Sequence, residues 1–200
     1  MGRISRPQPG DFDVLMELIL TDKNGKVQNK RKMRCESFTR QFIDALLIAM
    51  AFSERLTSTD MGGTSAYLAI TTTNINVNAS SSDDTRGILI GTGTTSVAVD
   101  DYTMETLIAD GTGTGQLQYS AVSFGEPVNT GTTQTSFIIS RVFTNGSGAQ
   151  IDVSEAGLVC FLAGNVGLDE FLILHDIIDP VFAVTDTSSL TLNYTFRTTV

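Results

Sequence analysis

Tryptophan is absent, histidine occurs once, cysteine twice and proline four times in the 200 residues. Each scarcity excludes something. One histidine and two distant cysteines, Cys35 and Cys160, cannot supply the paired ligand spacing of a zinc site, and they lack both CxxC spacing and the cysteine density of a small secreted scaffold. Both cysteines read as buried apolar filler. Without tryptophan and with 8% aromatics, little points to a sugar-stacking cleft. The longest apolar run, Phe42 to Phe52, is too short to span a bilayer and contains Asp44, and the first residues have charge but no apolar h-region. The expectation is a soluble protein made in the cytoplasm, with no membrane partner.

Basic residues are also scarce over most of the chain. Residues 1–55 hold ten of the thirteen Lys and Arg against seven acids, a balance of +3, whereas residues 56–200 hold three against fifteen, a balance of −12. Phosphate binding needs a basic footprint, so the acidic body is a poor nucleic-acid binder. An apolar fraction of 41% with many Ser, Thr, Gly and Asn residues favours strands and turns around one sizeable core.

Residues 1–12, with Arg3, Arg6, Pro7, Pro9 and Gly10, have the composition of an extended arm that reaches a neighbouring subunit. Residues 13–200 form a single β-rich domain, divided into a hairpin plus helix (13–56), a Ser/Thr/Asn-rich loop region (57–86) and a β-sandwich (87–200). Within the first part, two strands flank Asn24-Gly25, the turn chemistry of a tight hairpin. Ser37 is placed as the N-cap of the one main helix, with Phe38, Phe42, Ala45, Leu46 and Ala49 at helical spacing. Ile43, Leu47, Ile48 and Met50 widen its apolar face, which predicts packing on more than one side.

Short apolar runs then recur at 88–90, 97–99, 117–122, 137–143, 151–153, 157–162 and 171–174, and the last segment alternates strictly, with Leu190, Leu192, Tyr194 and Phe196 on one face. A short helical turn is expected within 100–108. The fold class is mainly β: an antiparallel β-sandwich, jelly-roll or immunoglobulin-like, with an N-terminal β-hairpin and one main α-helix.

The candidate chemistry is thin. His175, placed at a strand end before Asp176, would need a nucleophile elbow to act in a triad, and no Gly-x-Ser-x-Gly is present. A hydrogen-bonded structural role is the better reading. The acidic pairs Asp83-Asp84, Asp100-Asp101 and Asp169-Glu170 supply oxygens that suit calcium, but without EF-hand spacing they read as solvated loops. Gly91-Thr-Gly93 and Gly111-Thr-Gly113-Thr-Gly115 lack the rest of a phosphate-binding loop and read as turns. The Asn-x-Ser/Thr tripeptides at Asn78, Asn145 and Asn193 read as chance matches, because no secretory leader is expected. No catalytic, cofactor or metal residue is assigned, and no cofactor is expected. The basic cluster of Lys30, Arg31, Lys32 and Arg34 reads first as a lysine-protected strand edge, second as a contact to an acidic neighbour, and last as a DNA contact. Arg3, Arg6, Lys30, Arg31, Lys32 and Arg34 are the candidate subunit-contact residues.

One resemblance goes beyond composition. The succession Gly87-Ile-Leu-Ile-Gly-Thr-Gly93, Asp100-Asp-Tyr102, Leu107-Ile, Gly115-Gln-Leu-Gln-Tyr119, Ile139-Ser-Arg-Val-Phe-Thr-Asn145, Val153-Ser-Glu-Ala-Gly-Leu158 and Leu172-Ile-Leu-His-Asp176 resembles virion structural proteins of tailed bacteriophages, as does the closing strand Leu190–Phe196. The resemblance implies a non-enzymatic building block located in the virion, oligomeric, with other virion proteins as partners. Capsid decoration or vertex proteins come first, and head-to-tail connector, collar or tail-fibre attachment proteins second. A carbohydrate- or cell-surface-binding module and a lytic enzyme are the readings outside that family.

Overall fold

The computed structural model describes residues 12–35, 37–51, 56–68, 75–163 and 168–200. β1 (Phe12–Thr21) and β2 (Val27–Cys35) form the expected hairpin. Its loop is a three-residue type. Gly25 lies at φ 78°, Asp22 closes the turn by accepting the amides of Asn24 and Lys26, and the pairing shifts register between Leu20 and Thr21. Gly25 has open space around its missing side chain, so only the backbone conformation resists a Cβ. Gly25→Ala is therefore expected to destabilise the chain by about 1 kcal/mol in chemical denaturation, with no change in the folded contacts.

α1 (Arg40–Ala51) follows. It begins later than expected because residues 37–39 belong to a strand edge: the Ser37 carbonyl accepts the His175 amide, Phe38 bridges Leu174, and the Thr39 amide and hydroxyl reach the carbonyls of Ile173 and Leu172. Thr39 thus occupies the capping position given to Ser37 from sequence. β3 (Leu56–Thr59) and β4 (Ser65–Leu68) form a small hairpin against which α1 packs.

β5 (Gly87–Gly91), β6 (Gln118–Tyr119), β7 (Ser123–Phe124), β8 (Val128–Thr130), β9 (Gln134–Thr144), β10 (Ile151–Ala163), β11 (Leu168–Val184) and β12 (Ser189–Thr199) complete the set. One seven-stranded antiparallel sheet has the order β2-β1-β12-β9-β6, with β7 and β8 also on β9, and a three-stranded sheet has the order β11-β10-β5. β12 alternates as its sequence demands: Leu190, Leu192, Tyr194 and Phe196 are buried against a common core with Val14, Met16 and Leu18 of β1 and with Ile88, Ile90 and Leu158 of the smaller sheet. Two antiparallel sheets contributing to one core are compatible with the sandwich arrangement. The smaller sheet is buried along almost the whole of β5 and much of β10 and β11, because Met104, Ile108, Leu117 and Val122 of the 92–122 segment cover it.

Four expectations are corrected. Residues 97–99 are not a strand and 100–108 contains no helical turn, because carboxylates take the amides that either ladder would need: Glu105 accepts from Thr94 and Thr95, Asp101 from Ala98, and Glu155 from Glu105 and Thr106. The runs at 151–153 and 157–162 are one strand, β10, with a bulge between Val153 and Glu155. His175 lies in the middle of β11 rather than at a strand end, since β11 stays paired with β10 on both sides of it. Finally, part of the wide apolar face of α1 is left uncovered: Gln41 and Ala45 are buried, whereas Ile43, Leu46 and Leu47 are exposed at 56%, 37% and 47%.

Candidate functional site

Two groups of residues stand out, one at the rim of the core and one in the interior. At the rim, five phenylalanines form a file from the larger sheet to the helix, with Phe196 buried and Phe38 and Phe42 half-buried. Phe137 of β9 and Phe196 of β12 are directly opposed and stack at 5.0 Å, Phe12 of β1 lies 6.4 Å from Phe196 and 6.0 Å from Phe38, and Phe38 stacks on Phe42 at 4.3 Å. Phe12 and Phe137 are 53% and 37% exposed. On α1 the file continues without a break, because Phe42 and Leu46, and Ile43 and Leu47, are neighbours four residues apart. A contiguous apolar band results, of the kind that marks interaction surfaces.

Basic residues border this band. A hollow of about 310 Å³ is lined by Phe12, Asp13, Arg34, Cys35 and Phe38, so Arg34 sits beside the aromatic rings. Arg40 at the start of α1 is exposed and 3.5 Å from Asp44. Of the residues singled out from sequence, Lys30 pairs with Glu17 at 3.1 Å, Arg34 lies 3.7 Å from Asp13, and Arg31 donates to the Pro180 carbonyl and stacks over Phe182. Lys32 is exposed on the same outer face as Lys30 and Arg34, along the edge of the larger sheet. Arg3 and Arg6, with residues 1–11 of the arm, lie outside the described residues, and Phe12, assigned to the arm from sequence, is the first residue of β1. The basic cluster is thus partly absorbed by the fold, and the aromatic band beside it had no periodic signature, since its members come from four different elements or their flanks.

In the interior, His175 lies between two carboxylates. Its Nδ1 is 2.8 Å from Asp101 Oδ2 and its Nε2 is 2.8 Å from Glu155 Oε1. Glu155 is fully buried and accepts the amides of Gly93, Glu105 and Thr106. Gly91 and Gly93, which looked like turn glycines, make room for it: a Cβ at either would come within 2.3 or 2.6 Å of Glu155 Oε2. Burial pushes the His175 pKa down, but hydrogen bonds to Glu155 and Asp101 and the attraction of both carboxylates outweigh it, so the value is raised above the ordinary 6.5. Burial acts upward on Glu155, yet the His175 hydrogen bond and the backbone amides hold it below 4.5. Asp176, beside His175 in sequence, is not its partner. These groups face one another and the backbone, which suits an internal brace.

The acidic pairs considered for calcium are distributed differently. Asp83 bonds Thr85 and Arg86, and Asp84 accepts the Asp110 amide. Among the described residues no cluster of three or more His, Cys, Asp or Glu side chains is arranged to hold a metal ion, and no helix is long and apolar enough to cross a membrane. Comparison with known proteins found no matching family model, no matching curated protein and no matching solved structure.

Proposed function

We propose that this chain is a structural component of a tailed-phage virion, a capsid decoration or vertex protein that works through protein–protein contacts and catalyses no reaction. The observation that supports the reading is the exposed band of Phe12, Phe137 and the outer face of α1, with Arg34 and Arg40 beside it. An apolar strip with a basic border fits a neighbouring virion protein whose apolar patch is rimmed by carboxylates. Repeated at many symmetry-related positions, modest contacts of this kind accumulate. The absence of a reaction is consistent with His175 and Glu155, the strongest candidates for acid–base work, being 4% and 0% exposed and bonded to each other.

Quantitative mass spectrometry of purified particles, with copies counted against the major capsid protein, tests the proposal. Copies in the hundreds support a decoration protein. A dozen or fewer favours the connector, collar or tail-fibre reading, and absence from particles overturns the virion assignment. In particles assembled with an Ile43→Ser/Leu47→Ser chain, affinity for the particle is expected to fall roughly thirtyfold, the consequence of withholding about 2 kcal/mol of apolar burial. The same exposed positions should change the stability of the isolated chain by no more than about 0.5 kcal/mol.

A further inference from the structure

We propose that His175 is a proton-operated clasp: in its protonated form it ties Asp101 to Glu155 of β10, and loss of its proton releases the 98–101 stretch and its contact with the first residue of α1, while Glu155 keeps its backbone amides. The geometry requires the proton. Both ring nitrogens lie 2.8 Å from a carboxylate oxygen, and only the imidazolium carries N–H at both. A neutral ring keeps one donor and turns a lone pair on the other carboxylate. Among the described residues the ion pairs of Asp101 and Glu155 are with His175 alone.

Which side opens follows from how each carboxylate is held. Glu155 is fully buried and fixed by three amides, so it cannot be left without the remaining ring donor. The Asp101 side chain is 27% exposed and can be taken up by water. Asp101 also accepts the Ala98 amide at 2.8 Å, and the next carbonyl, Val99, accepts the Arg40 amide at 2.7 Å. A proton at His175 is therefore communicated through two hydrogen bonds to the first residue of α1. Of the other charged groups nearby, Glu105 feels the His175 charge but makes no hydrogen bond to the ring, and the rest face elsewhere. Glu105 is held by the amides of Thr94 and Thr95 and the Thr95 hydroxyl, Asp100 is exposed, Arg40 faces Asp44, and Asp176 points with Cys35 and Tyr194 to the opposite side of β11.

A group raised above its unfolded value of 6.5 contributes fully below that pH and loses its contribution as pH climbs through the folded value. The clasp therefore opens on alkalinisation. Because the chain has a single histidine, its ring resonances report His175 without assignment ambiguity. The test is a proton NMR titration of the wild-type chain, with amide exchange corrected for its intrinsic pH dependence. The expected result is a midpoint above 6.5, accompanied over the same range by faster exchange at Ala98 and Arg40. The total increase should be at most about tenfold for each pH unit between that midpoint and 6.5, because the opened state keeps the Glu155 bond, with the β10 amides unaffected. A His175→Gln chain, if folded, should lack the step. A midpoint at or below 6.5, or a histidine that titrates while Ala98 and Arg40 keep their protection, overturns the proposal.

Discussion

Arg141→Met is expected to destabilise the chain by about 3–5 kcal/mol, enough to leave many small domains unfolded. Arg141 is 1% exposed in β9, and all five of its N–H donors meet backbone carbonyls. Nε donates to Ser120, one terminal nitrogen to Arg86 and Ile88, and the other to Ser80 and Asp83. Its guanidinium also stacks 4.6 Å from the Tyr119 ring centroid. One side chain thereby fastens the 80–88 segment, which has few strand pairs of its own, to the larger sheet. Methionine replaces the stem but takes the guanidinium from five inward-facing carbonyls, of which that of Ser80 keeps the Asp83 amide, and these groups cannot be substituted away because they belong to the backbone. Lysine carries a compact ammonium with three donors and should recover only a minor part of the loss. Urea denaturation followed by circular dichroism measures the change in midpoint. A loss under about 1 kcal/mol would mean that water replaces the guanidinium without penalty.

The second large effect is at Glu155. Glu155→Ala leaves the amides of Gly93, Glu105 and Thr106 and one nitrogen of His175 without their acceptor in a site closed to solvent. A loss of about 3 kcal/mol or more is expected from breaking such a buried charged network. The pH profile should change as well. In the wild type the Glu155 contribution, with a folded pKa held below 4.5, is present above pH 4.5 and fades as pH falls through the lowered value, while the His175 contribution fades as pH rises above 6.5. Between those limits both are intact. In Glu155→Ala the acid-side loss attributable to Glu155 disappears, and the alkaline loss shrinks because His175 retains only Asp101. Thermal unfolding midpoints measured from pH 4 to pH 9 would show this as a flatter curve at lower stability.

Much of the local architecture is legible in the amino-acid sequence. The Asn24-Gly25 hairpin, the presence of one main helix though not its starting residue, and the alternation of Leu190, Leu192, Tyr194 and Phe196 all follow from turn chemistry and from periods of 2 and 3.6, which any short window of sequence displays. Where such windows mislead, a distant partner intervenes. The 97–108 region loses its expected strand and helical turn to carboxylates at 101, 105 and 155, and Ser37 loses its capping role to pairing with His175.

The candidate sites are hidden for the same reason. His175 lies 20 residues from Glu155 and 74 from Asp101, and Arg141 is up to 61 residues from the carbonyls that it holds. No spacing rule connects them. The aromatic file likewise needs β1, β9 and β12 in register before Phe12, Phe137 and Phe196 can meet. The outward face of α1 reads as core because its residues are apolar, whereas exposure depends on which layers exist to cover it. The sequence by itself determined the mainly β class of fold and most of the longer elements, because hydrophobic period and turn residues act within a few positions of one another. Only the tertiary structure decided which polar groups became internal braces and which apolar ones stayed at the surface, because both depend on strand order and register, which are set by contacts between residues far apart in the chain.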